Sequence, residues 1–208
     1  TATFASLETL TVTKAGLGIG SVTSAPVGIA CPSDCLTTTA QFVYGTSVTL
    51  SQAPSGTSLW GGWSIKTCGA TCTFTMTGAR TVTAQFDLPS YVLTVKKVST
   101  DAGAGGVTSS PAGISCAAAC TSDKTASFVE NTLVTLVASP ASGSYFVAWT
   151  GDCVSASLIC TVTMSSAKTG HSMGGMNLLT RRYSGAVRSR TVEADRSEEH
   201  TSELQSHH

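Results

Sequence analysis

The sequence predicts an all-β fold: two tandem small modules, β-grasp-like or β-sandwich, followed by a disordered C-terminal tail. Three observations carry that prediction. Apolar and hydroxyl residues alternate along many short segments, one ordered set of motifs occurs twice, and the composition changes abruptly after residue 169. Residues 1–169 hold 53 Ser or Thr, 30 of them Thr, and no His, whereas all four His of the chain (His171, His200, His207 and His208) follow.

The repeat is read by aligning the chain with itself. LTVTK at Leu10–Lys14 matches LTVKK at Leu93–Lys97, and GSVTSAPVGIAC from Gly20 matches GGVTSSPAGISC from Gly105. Cys31 and Cys35 then align with Cys116 and Cys120, Phe42 with Phe128, the VTL at Val48 with that at Val134, and Pro54 with Pro140. Trp63 aligns with Trp149, and CTFTM from Cys72 with CTVTM from Cys160. Thr1-Ala2-Thr3-Phe4 matches Thr83-Ala84-Gln85-Phe86, so residues 1–6 are expected to be the end of a preceding repeat. Repeat one is placed at residues 7–86, a Pro-containing linker at 87–90 and repeat two at 91–169.

Within a unit about six or seven short strands follow in order: LTVTK, GSVTS, the stretch ending at Phe42, SVTLSQ, SLWGGWS, TCTFTM and RTVTAQF. Gly, Pro, Ser and Asp separate them, and no segment shows a helical period. In TCTFTM the alternation puts Cys72, Phe74 and Met76 on one face and Thr on the other, as in a sheet with one buried and one wet side. About 80 residues make a small core, which cross-links would support.

The CxxxC after a Gly-Ile dipeptide, the VTL, the Trp, the CTxTM and the closing VTAxF together resemble the divergent internalin B-repeat family, also called bacterial repeat domains. The resemblance runs from Leu10 to about Thr169. It implies small β modules strung along large secreted or surface-attached bacterial proteins, as spacers or adhesive segments.

After Thr169 the expected Val-Thr-Ala-x-Phe strand does not follow; the chain reads GHSMGGMNLLTRRYSGAVRSR instead. Further on, RSEEHTSELQS at Arg196–Ser206 looks like the translation of a widely used short-read sequencing adapter. Residues 170–208 are therefore read as a frameshift- and adapter-derived disordered tail and set apart from the fold. Repeat two is then expected to lack its last strand, leaving an unpaired edge and part of its core open.

The cysteines are the most informative chemistry: Cys31 and Cys35, Cys68 and Cys72, Cys116 and Cys120, Cys153 and Cys160. Four per repeat permit three connectivities, and the sequence does not choose; these four local pairs are the simplest assignment. Each loop of about five residues would stabilise by only about 2 kcal/mol. Tetrahedral zinc is the rival, weakened by the absence of tight Cys-x-x-Cys knuckles. Trp63 and Trp149 read as core, while Trp60 and Tyr145 are the candidates for exposed, ligand-contacting aromatics.

Twelve basic and twelve acidic residues balance, which argues against nucleic acid, and no apolar run approaches the length of a membrane span. No His-based triad can be built within residues 1–169, and Asp34, Asp87, Asp101, Asp123, Glu130 and Asp152 do not recur at equivalent positions. GHSMGG fails the spacing of a GxSxG nucleophile elbow. The expectation is a non-catalytic segment without cofactor or metal, extracellular or at the bacterial cell surface. Its partners would be neighbouring repeats, with glycans or host matrix proteins as ligands. The alternative is a pair of carbohydrate-binding accessory modules of an extracellular polysaccharide-active enzyme.

Overall fold

The computed structural model of the chain describes residues 5–99 and 103–176. Repeat one comprises β1 (Leu7–Ala15), β2 (Ile19–Ala25), β3 (Ala30–Cys31), β4 (Thr37–Val43), β5 (Ser47–Ser55), β6 (Leu59–Trp63), β7 (Thr71–Thr75) and β8 (Arg80–Asp87). Repeat two comprises β9 (Ser90–Ser99), β10 (Gly105–Ser110), β11 (Ser115–Cys116), β12 (Lys124–Val129), β13 (Leu133–Pro140), β14 (Ser144–Gly151), β15 (Ile159–Thr163) and β16 (Lys168–Met176). The described residues contain no helix.

Each repeat is a sandwich of two four-stranded sheets. Repeat one has β4-β1-β8-β6 and β3-β2-β5-β7; repeat two has β12-β9-β16-β14 and β11-β10-β13-β15. The first and last strands of each unit lie side by side and parallel, β1 with β8 and β9 with β16, while the other pairs are antiparallel. Eight strands thus replace the six or seven read from the sequence. The additional one, β3 or β11, is two residues long and too short to show a period.

The cores follow the alternation. Leu10, Val12, Val22, Val48, Leu50, Cys72, Val82, Ala84 and Phe86 face inward in repeat one, with Trp63 and Met76 beside them. Leu93, Val95, Val107, Val134, Leu136, Cys160 and Val162 do so in repeat two, with Trp149 and Met164. The two cores share no residue. Thr residues take the outer faces, where they pair across strands: Thr49 with Thr73 at 2.8 Å and Thr13 with Thr37 at 3.4 Å. Turns repeat as well. Ser24 Oγ accepts from Ile29 N and donates to Pro26 O, and Ser109 does the same with Ile114 and Pro111.

One expectation is corrected. Repeat two does not lack its last strand: β16, Lys168–Met176, occupies the slot between β9 and β14 and pairs with both. Its backbone supplies the ladder although its side chains break the pattern, because hydrogen bonding in a sheet does not depend on side-chain identity. A disordered tail starting at Gly170 is therefore wrong for residues 170–176. The adapter-like segment at Arg196–His208 lies outside the described residues, as does Thr1–Phe4.

Candidate functional site

Three groupings of side chains recur in the two repeats, and a fourth occurs in only one. The first is the disulfide set. Bonds join Cys31 to Cys35, Cys68 to Cys72, Cys116 to Cys120 and Cys153 to Cys160, leaving no free thiol among the described residues. Cys31, Cys72, Cys116, Cys153 and Cys160 are also core residues, so three bridges tie a partly buried cysteine to the interior, while the fourth, Cys153 to Cys160, has both ends in the core.

The second is a lysine seated over the CxxxC loop. Lys14 Nζ donates to the carbonyls of Gly20, Pro32 and Ser33 at 2.7, 2.7 and 2.9 Å. Lys97 Nζ donates to Ala118 O and Cys120 O, both at 2.9 Å. Burial pushes the Lys14 ammonium below the usual lysine value, and the nearby Asp34 carboxylate pulls it back upward. Nothing in the function reading of the sequence singled these lysines out, although both stand in the matching LTVTK and LTVKK strings.

The third is the aromatic cluster. Trp63 and Trp149 are buried, and each indole N–H donates to a backbone carbonyl, of Ala70 and Leu158 respectively. Trp60 is half-buried, not exposed: its ring packs edge-on at 4.8 Å from Trp63 and 5.3 Å from Phe86. Phe146 holds the same place against Trp149 at 5.5 Å. Tyr145, one residue earlier on β14, is turned outward by the alternation and is 47% exposed.

The fourth is a cleft between the two sheets of repeat two, about 50 Å³ in volume, lined by Gly105, Val107, Ala138, Phe146, Ser172 and Gly174 among others. Its origin lies in register. Trp60 pairs with Phe86 on β8, and Phe146 pairs with Gly174 on β16. The inward positions of β8, Val82, Ala84 and Phe86, are thus filled on β16 by Gly170, Ser172 and Gly174.

Acidic groups remain scattered. Lys96 pairs with Asp123 at 3.5 Å and Lys168 with Asp152 at 3.7 Å, both near the surface. Among the described residues no group of three or more His, Cys, Asp or Glu side chains gathers in a way that would hold a metal ion.

No curated protein matches the chain. Solved structures that resemble it include the TIE protein of Bacillus anthracis, at 8% identity and a TM-score of 0.46, with 82% of this chain and 34% of that one covered. The chain thus spans about a third of that protein's length. The minor pilin GBS52 of Streptococcus agalactiae matches at 7% identity and a TM-score of 0.32, with 81% and 96% covered. The major pilin T-13 of Streptococcus pyogenes matches at 8% identity and 0.34, with 84% and 98% covered. The family model described as divergent InlB B-repeat domain matches twice, at residues 32–90 and 97–171, once in each sandwich. The chain belongs to the divergent InlB B-repeat domain family and carries two copies in tandem.

Proposed function

We propose that the two repeats are non-catalytic spacer modules of a larger secreted or cell-surface bacterial protein, with an adhesive role through their outer faces. The observation that carries this reading is the closure of each repeat on itself. Each sandwich has its own core, its own pair of disulfides and its own lysine clamp, and the chain passes from β8 to β9 through Leu88 and Pro89 alone. Modules joined in this way add length without sharing a site. The disulfides support an oxidising, extracellular location.

The carbohydrate-binding reading rests on Tyr145, the one of its two aromatic candidates with an exposed ring. A flat sugar platform ordinarily needs more than one such ring, and Trp60 is spent on the core. Two measurements test the proposal. Repeats one and two, produced separately, should each show cooperative unfolding; collapse of both would overturn independence. Titration of the whole chain with a panel of polysaccharides should leave Trp and Tyr fluorescence unchanged, and a response abolished by Tyr145→Ala would favour the accessory-module reading.

A further inference from the structure

The two repeats differ along the free edge of one sheet. β6 and β14 are the edge strands of equivalent sheets, and each is laddered on one side only, to β8 or β16. Ser64 N–H donates across to Thr83 O, so the N–H and C=O of Trp63, one residue earlier, point away from β8. In repeat two the same groups of Trp149 are occupied: Trp149 N–H donates to Ser155 O at 2.7 Å, and Ser155 N–H to Trp149 O at 3.3 Å. Ser155 reaches that edge because the chain runs eleven residues from Trp149 to Cys160, against nine from Trp63 to Cys72. The shorter loop makes no such bridge, and among the described residues the Trp63 N–H and C=O have no partner. Backbone groups of a buried residue are ordinarily paired.

A groove lies against this open edge. It is about 330 Å³ in volume and lined by Trp63 with Gly61, Gly62, Ser64, Lys66 and Thr83. A Cβ on Gly62 would meet nothing within 4 Å. By register, Val147, Ala148, His171 and Met173 stand in repeat two where Gly61, Gly62, Thr83 and Gln85 stand in repeat one, so side chains replace the space. Charge is reversed as well. Lys66 is the third residue after Trp63, and Asp152 the third after Trp149. Asp152 accepts from Thr169 N–H at 2.7 Å and pairs with Lys168 at 3.7 Å. Arg80 holds the place of Lys168 with its guanidinium over the Phe74 ring at 4.7 Å, and Lys66 forms no ion pair among the described residues. Asp87, beside Gly61, already accepts from Gln85 Nε2 at 2.6 Å. Repeat two thus covers and neutralises this corner with its own loop, while repeat one leaves it open and positive.

We infer that this edge of repeat one takes an extended segment of a partner protein that carries an acidic side chain. The segment pairs antiparallel to β6 as Ser155 does to β14. Its carbonyl accepts from Trp63 N–H, its N–H donates to Trp63 O, and a carboxylate about three residues earlier in the segment meets Lys66. Two central hydrogen bonds and one exposed ion pair hold such a strand weakly, with a dissociation constant on the order of 1 mM. The contact gives the adhesive role of the proposed function a partner and a face, and rests on that role; separate unfolding of the two repeats does not depend on it.

The test is a heteronuclear NMR titration of the whole chain with the capped peptide Asp-Thr-Val-Ser-Ala-Ser, whose last four residues copy Val154–Ser157. Up to about 10 mM peptide, the Trp63 amide proton should move downfield and saturate, with shifts at Ser64 and Thr83, while Trp149 and Ser155 stay in place. Lys66→Gln, an exposed position, should weaken binding about two- to five-fold, and a peptide with Lys in place of its Asp should bind the wild-type chain more weakly still. Replacing Ser64–Thr71 with the sequence of Thr150–Ile159 grafts the covering loop and should abolish the response. If that graft does not fold, the two charge changes still decide. No saturable shift at Trp63, equal shifts at Trp149, indifference to both charge changes, or a folded graft that still binds would each overturn the inference. So would a Trp63 shift that grows with protein concentration alone, since a second copy would then hold the edge.

Discussion

Lys14 and Lys97 do for the CxxxC loops what a short disulfide cannot. A loop of about five residues gains only about 2 kcal/mol from its bridge, and the carbonyls of that loop point inward at one ammonium. Replacing Lys14 or Lys97 with Met should therefore cost about 1 kcal/mol, discounted for partial exposure, as a shift of the urea midpoint without change of slope. A second residue-scale constraint sits where β12 turns into β13. Asn131 has φ of 65°, at the place where repeat one has Gly45 with φ of 86°. Asn tolerates that left-handed conformation better than other residues with a Cβ. Asn131→Gly should be nearly neutral in thermal unfolding, whereas Asn131→Ala should lose about 1 kcal/mol. Neither constraint is legible locally: a lysine in a Thr-Val string looks like a solvated face, and its acceptors lie some 20 residues on. The cysteine pairs were legible because each closes within a few residues, while Trp60 misled because alternation alone does not reveal that Phe86 lies beneath it.

Elements fared unevenly for a related reason. Strands with Val, Leu and Thr in alternation announce themselves, and the repeat fixed their order twice over. Their partners do not: the parallel pairing of β1 with β8 joins segments about 70 residues apart, and nothing in either strand names the other. β16 shows the opposite failure. GHSMGG has no strand signature, yet it completes the ladder, because the slot between β9 and β14 is specified by its neighbours. The consequence is a difference between equivalent glycines. Gly20→Ala drives a Cβ into the buried Phe86 ring and should cost about 2–3 kcal/mol. Gly105→Ala meets no ring; its nearest neighbour is the Ser139 carbonyl oxygen at 3.1 Å. It should cost less than about 1 kcal/mol. Chemical denaturation of the two variants checks the contrast, and equal losses would mean that the cleft of repeat two is not open.

At the scale of the whole molecule, separate cores joined by two residues should unfold separately, and unequally. The polar contact of Thr57 with Glu130 bridges the joint, but an exposed hydrogen bond couples two domains weakly. Repeat two has Gly170 and Gly174 in the places of Val82 and Phe86, and each buried apolar side chain is worth about 1.5–3 kcal/mol. Calorimetry should therefore resolve two transitions, with repeat two less stable by about 3–5 kcal/mol. The assignment can be made by substitution. Trp63→Ala should lower only the upper transition and Trp149→Ala only the lower, each by about 3–5 kcal/mol at its own midpoint. The deficit should also be reversible in part. A Cβ at Gly170 would lie 3.7 Å from Leu136 Cδ1 and 3.9 Å from Cys153 Cβ, ordinary contacts that leave room for a side chain. Gly170→Val should raise the lower transition alone, by about 1–2 kcal/mol, through added burial and relief of a strand glycine. A single transition that moves with either tryptophan would show instead that the joint between the repeats, and not the cores, sets the stability of the chain.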